Sequence, residues 1–305
     1  MRDLAENRSE AAALLFALGG FALLTTGDTL VKSMAGLWPG PAIGALRYVA
    51  GTIGLGAILL WREGWAGFRM DKVGWHAARG FGVAFSATTF FTAVQIMPIA
   101  EAVAISFTSP MVTALLASLL IGEPMRRETW IASVVAFVGV LIVLRPNFVV
   151  IGPAALLPLL AAMGMSLLII GNRAVQGYGS ALSMQVNVAI FATLFLILFT
   201  VIGHFSGITI LHVGVPPASV VIKSAIIAVT GSSAHALIYM ATSRAGAATV
   251  APMTYFQLIV AGFYGWLLFR ETPDATALLG AAVIIAAGLY LWRAGQVTDE
   301  PQGTE

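Results

Sequence analysis

Residues 98–124 read PIAEAVAISFTSPMVTALLASLLIGEP. Between Glu101 and Glu123 this run has no charge, yet Ser106, Thr108, Ser109 and Pro110 sit at its middle. An apolar run of about 20 residues is the length of a helix that crosses a bilayer. Proline removes one helical hydrogen bond, so Pro110 predicts a kink near the centre of the span.

The rest of the chain has the same character. Of 305 residues, 59% are hydrophobic and 10% are charged, against about 25% charged in soluble domains. Runs such as ASVVAFVGVLIVL do not alternate in polarity, which argues against barrel strands and for helices. Ten spans are expected, at about 11–33, 41–61, 75–96, 99–121, 130–146, 151–170, 181–203, 219–241, 246–269 and 275–292. The expected class is an all-α polytopic membrane protein, followed by a polar tail at 294–305. There is no cysteine, hence no disulfide and no thiolate metal site. The phosphate-binding pattern GxxxxGK[ST] is absent and the four histidines stand singly. We expect no enzyme, no cofactor, no metal and no nucleic-acid partner. Basic residues crowd the connections on one side, among them Arg62, Arg69, Lys72, Arg126, Arg127 and Arg173. By the positive-inside rule both termini face the cytoplasm, in the cell inner (plasma) membrane.

The opening stretch has a partner. GAATVAPMTYFQLIVAGFYGWLLFRET, residues 246–272, lies over it at an offset of 148 positions. Glu123 then meets Glu271, and without a gap Arg145 meets Arg293. GDTLVKS at Gly27 resembles GNRAVQG at Gly171, at an offset of 144. Two units of five spans follow, 1–150 and 151–293. An odd number of spans makes them inverted repeats, an arrangement common in secondary transporters with a site between the halves.

These residues resemble the drug/metabolite transporter superfamily, in its ten-span branch with two EamA repeats. AEAVAISFTSPMVTALLASLLIGEP and APMTYFQLIVAGFYGWLLFRETPD are each similar to the repeat's signature helix, a Leu-rich run closing on Glu. The resemblance implies ten helices around a central cavity that works by alternating access. It implies export of a small amphipathic metabolite, with an amino acid, including aromatic ones, as the leading expectation. Uptake of an S-adenosylmethionine-like solute is the second reading, and a non-transporting membrane scaffold the third. The partners expected are membrane lipid and a small-molecule metabolite, with the carrier as a monomer.

Polar side chains inside spans are the candidate site, because hydrocarbon penalises an unpaired donor or acceptor. We expect Ser86, Thr89, Ser109, Ser233, His235, Tyr239, Tyr255 and Gln257 to line the cavity. Ser109 and Gln257 correspond at the 148 offset, as do Ala87 and His235. Asp28, Lys32, Arg47 and Glu101 share the outer half and are expected to form a charge network or gate, with Asp28 and Lys32 paired four residues apart. Glu123, Arg145, Glu271 and Arg293 read as structural markers of the repeat.

Overall fold

The computed structural model describes residues 2–121, 127–175 and 177–299, with side chains within 12–119, 127–145, 148–175, 177–245 and 249–294. Eleven helices occupy these residues: α1 (Arg2–Lys32), α2 (Gly40–Glu63), α3 (Val73–Ile96), α4 (Ile99–Ser106), α5 (Ser109–Ile121), α6 (Arg127–Ile151), α7 (Leu157–Ala174), α8 (Ala181–Phe205), α9 (Ala218–Val250), α10 (Phe256–Phe269) and α11 (Ala275–Asp299). Counting α4 with α5 as one crossing, they make the ten expected traverses. Nine of these are long and apolar enough to cross a membrane. The remaining one, α3, has 24 residues, about 36 Å of helix. Its lower apolarity comes from a polar set that includes His76, Arg79, Thr89 and Gln95.

The fourth traverse is broken rather than kinked. α4 ends at Ser106, and α5 restarts at Ser109 with Pro110 as its second residue. Proline has no N–H to give and disfavours helical geometry in the residue before it, so the break falls ahead of it. The polar notch supplies what the broken backbone lacks. Thr108 Oγ1 donates to Ile105 O at 2.7 Å and Ser106 Oγ to Ala102 O at 3.0 Å. The Ser109 carbonyl accepts from Ser166 Oγ of α7 at 3.2 Å. The ninth traverse repeats the device, since Ala251–Tyr255 forms a 3₁₀ turn with Pro252 at its start before α10 begins. α9 runs on through Val250, past the break expected between 241 and 246.

The packing is that of an inverted repeat. α1 lies along α9, and its counterpart α7 lies along α3. α6 pairs with α11 and α2 with α8, each with its own counterpart. Small residues set the close approaches. A Cβ on Gly164 would lie 2.6 Å from Gly82 O, and one on Gly82 the same distance from Gly164 O. Gly164 also abuts Ser86, while Gly20 abuts Ala234. Gly20 and Gly164 are 144 apart, and Ser86 and Ala234 are 148 apart, so one contact is the image of the other. Without a hydrophobic drive between helices in lipid, such close backbone packing is a main source of association.

The largest apolar cluster lies at one end of the bundle. It joins Val31, Met34, Ile43, Val94, Met97 and Ile99, all buried. We call this the Lys32 end and the opposite one the Arg79 end.

Candidate functional site

A cavity of about 570 Å³ lies between α1, α2, α3, the α4–α5 break, α7, α8, α9 and the start of α10. That volume is in the range of small-molecule sites, about 300–1,000 Å³. Its walls obey the pseudo-twofold. Asp28 and Asn172 both line it, as do Arg79 and Ile227, Val83 and Gly231, Ala87 and His235, Ser106 and Thr254, and Ser109 and Gln257. Each pair is related by one of the two sequence offsets. The halves supply the same positions with different chemistry, and the cavity's polarity lies in those differences.

Of the expected cavity residues, Ser86, Ser109, His235 and Gln257 line it. Gln257 Nε2 donates to Thr254 Oγ1 at 3.0 Å, which orients both side chains. Four others stand elsewhere. Thr89 is buried and its hydroxyl bonds to the carbonyls of Phe85 and Ser86 in its own helix. Ser233 is exposed, two residues and therefore about 200° around α9 from Gly231 and from His235. Tyr239 is 67% exposed and stands outside the cavity wall. Tyr255 stands edge-on to Phe107, with ring centroids 5.2 Å apart, and its hydroxyl is packed against Gly288 of α11. Phe107 is the ring that reaches the cavity, beside Phe90, Phe91 and Tyr48.

The expected charge network is divided in two. Lys32 does not pair with Asp28. Its Nζ lies 2.7 Å from Glu271 Oε1, and it also donates to Val94 O at 2.9 Å and Met97 O at 2.7 Å. Carbonyls at a helix C-terminus carry partial negative charge. The end of α3 and the Glu271 carboxylate therefore form a stronger anionic cage than one aspartate four residues back. Glu271 Oε2 also accepts from Ile99 N, the first residue of α4, at 3.2 Å. One ion pair thus ties α1, α3, α4 and the end of α10. Glu101 is buried near this point.

Asp28 and Arg47 instead line the cavity. The Arg47 guanidinium lies over the rings of Tyr48 and Phe91, 5.2 and 5.5 Å from their centroids, and its charge acts on Asp28. Among the repeat markers, Glu123 lies outside the described residues. Arg145 and Arg293 are exposed. Glu271 holds Lys32 and the first backbone N–H of α4.

Arg79, near the start of α3, is the largest omission from the expected cavity residues. It is 5% exposed, yet it lines the cavity. Its Nε donates to Asn172 Oδ1 at 2.7 Å, and its Nη1 lies 3.0 Å from His76 Nδ1. A signal was present: Asn172 occupies the repeat position of Asp28, behind the same glycine.

At the Lys32 end the walls close on the buried cluster around Val31 and Met97. At the Arg79 end Asn172 and Gln185 are exposed cavity residues.

Known proteins carry the same pattern. The EamA-like transporter family matches at residues 11–145 and again at 152–293. An S-adenosylmethionine uptake transporter of Rickettsia bellii is 28% identical over 225 residues, 71% of each chain. A riboflavin transporter of Rhizobium johnstonii is 30% identical over 236 residues, 76% of this chain and 74% of its own. A riboflavin transporter of Brucella anthropi is 28% identical over 261 residues, 84% and 88% of the two chains. A solved crystal structure covers 95% of this chain and 99% of its own, with a TM-score of 0.58 at 18% identity, a likeness of fold alone. The two matches, the paired helix contacts and the cavity between the halves all lead to one assignment: this chain is a multi-pass membrane transporter of small metabolites and belongs to the EamA-like transporter family.

Proposed function

We propose that the protein is an uptake carrier for a metabolite that joins a heteroaromatic ring to a charged chain, of the S-adenosylmethionine type. One observation carries this reading. The cavity sets the rings of Tyr48, Phe90, Phe91 and Phe107 beside charges of both signs, Asp28 against Arg47 and Arg79. Aromatic faces stack on a flat ring system, and cations of the sulfonium or ammonium kind are attracted to them as well as to the carboxylate. The names of the Rickettsia relatives support the cargo and the direction. The export of amino acids expected from the sequence draws no such support from the named relatives. Riboflavin is the second reading, favoured by the Rhizobium and Brucella relatives; a flavin would use the same rings and leave the charges to hydroxyls.

Residues 1–150 and 151–293 serve as the two halves that rock about the cavity, both termini face the cytoplasm, and the Lys32 end is the outer one. Ser109 and Gln257 supply neutral hydrogen bonds to the cargo. The test is uptake of labelled S-adenosylmethionine by proteoliposomes holding the purified protein, with riboflavin and a panel of amino acids as competitors. Saturable uptake blocked by unlabelled S-adenosylmethionine and not by amino acids is expected. Uptake of amino acids alone would refute the reading.

A further inference from the structure

Charges in the cavity do not balance. Two guanidiniums, Arg47 and Arg79, face one carboxylate, Asp28. Arg47 is the cation that acts on Asp28. Among the described residues the hydrogen-bond partners of Arg79 are neutral: Asn172 Oδ1, His76 Nδ1, and the carbonyl and sulfur of Met184 at 3.4 and 3.8 Å. No acid among the described residues makes an ion pair with it, and Asp71 acts on His76 instead. A guanidinium buried at membrane depth is costly until an anion meets it.

The repeat shows that this imbalance is built from specific exchanges. On the pseudo-twofold, Gly171 under the Arg79 side chain corresponds to Gly27 under Ile227. Asn172 corresponds to Asp28. One copy of this Gly-Asx pair thus carries an acid and meets Ile227, and the other carries an amide and meets Arg79. Gly171 lets the guanidinium stem lie against α7, since a Cβ there would collide with Arg79 Cγ. Asn172 holds Nε by its one acceptor and, being neutral, leaves the charge uncancelled.

We infer that Arg79, positioned by Asn172 and Gly171, is the subsite for a carboxylate of the cargo at the accessible end of the cavity, and that Asn172 sets selectivity for anion-bearing cargo. This rests on the proposed S-adenosylmethionine-type cargo, whose amino acid moiety carries such a group. Asp28 takes the cationic part.

The test measures binding of S-adenosylmethionine and of its decarboxylated analogue to the purified protein in detergent. A lost charge-assisted contact predicts a preference of about 10–100-fold for the carboxylate form. Asn172→Asp fills the guanidinium from within and should erase that preference. Arg79→Gln should erase it too. A wild type without preference, or an Asn172→Asp variant that keeps it, overturns the inference. If neither compound binds the wild type, the cargo reading fails and the subsite is judged without ligand. Asn172→Asp should then slow thermal unfolding of the empty protein, and should not do so in an Arg79→Gln background. No stabilisation by the internal carboxylate would refute an uncompensated Arg79.

Discussion

Removing the Lys32 ammonium should cost the fold more than any cavity substitution. Lys32 is 8% exposed and Glu271 22%. The ammonium has three N–H donors, and all three are used, on Val94 O, Met97 O and Glu271 Oε1. Hydrogen bonds to charged groups are worth about 1.5–3 kcal/mol each, but desolvation of the ions offsets part of that sum. Breaking a buried pair from one side costs about 3–5 kcal/mol, because the carboxylate stays behind. Lys32→Ala leaves the Glu271 carboxylate with its hydrogen bond from Ile99 N and without its cation, and should fall in that range. Glu271→Gln keeps an acceptor for Ile99 N and leaves two carbonyls on the ammonium, so about 2–3 kcal/mol is expected. The assay is SDS-titrated unfolding in mixed micelles, read by far-UV circular dichroism. The decisive variant exchanges the charges, Lys32→Glu with Glu271→Lys. It restores the ion pair but turns a carboxylate toward the Val94 and Met97 carbonyls, so stability should stay near that of the single variants. Recovery of wild-type stability by the exchange would refute the carbonyl cage and reduce the site to an ordinary pair.

Gly164→Val should separate α3 from α7, because the added carbons meet the Gly82 carbonyl and the Ser86 backbone; gel filtration of the purified variant should show loss of folded protein, where Gly262→Ala, with open space at its Cβ, should not. Ser109→Ala and Gln257→Ala should each slow proteoliposome uptake by about tenfold with unfolding unchanged. At the start of α11, Asp274 Oδ1 accepts from Ala277 N and Thr276 Oγ1, bonds that hold its carboxyl below the usual carboxylate range. Its depressed folded pKa gives a stabilisation present at neutral pH and lost as pH falls through that value, so the stability gap to Asp274→Ala should close only in acid well below about pH 4. In this cysteine-free chain, Val215→Cys and Trp65→Cys place thiols at positions 94% and 79% exposed; an impermeant reagent added outside intact cells should label the first and spare the second, and the reverse would overturn the orientation.

The crossings were legible in the sequence because a bilayer admits few solutions. Each must be about 20 apolar residues with its backbone bonds made internally, and runs such as 181–203 satisfy that on composition alone. The inverted repeat was legible too, since Glu123 and Glu271 keep one offset with Arg145 and Arg293. The rotation of each helix was not. In water an amphipathic stripe marks the buried face; in lipid the surroundings are as apolar as the core, so α9 gives no pattern that separates His235 in the cavity from Ser233 two residues before it. Glycine contacts such as Gly20 on Ala234 fix that rotation, and they exist only once the halves have met. The same holds for charge. The partner four residues away was visible for Lys32, but the carbonyls at the end of α3 and a carboxylate 239 positions along the chain offer more field, and only the folded bundle brings them to it. Arg79 lies near the start of α3 in the sequence, and only the folded bundle sets Asn172 of α7 and Met184 of α8 against its guanidinium.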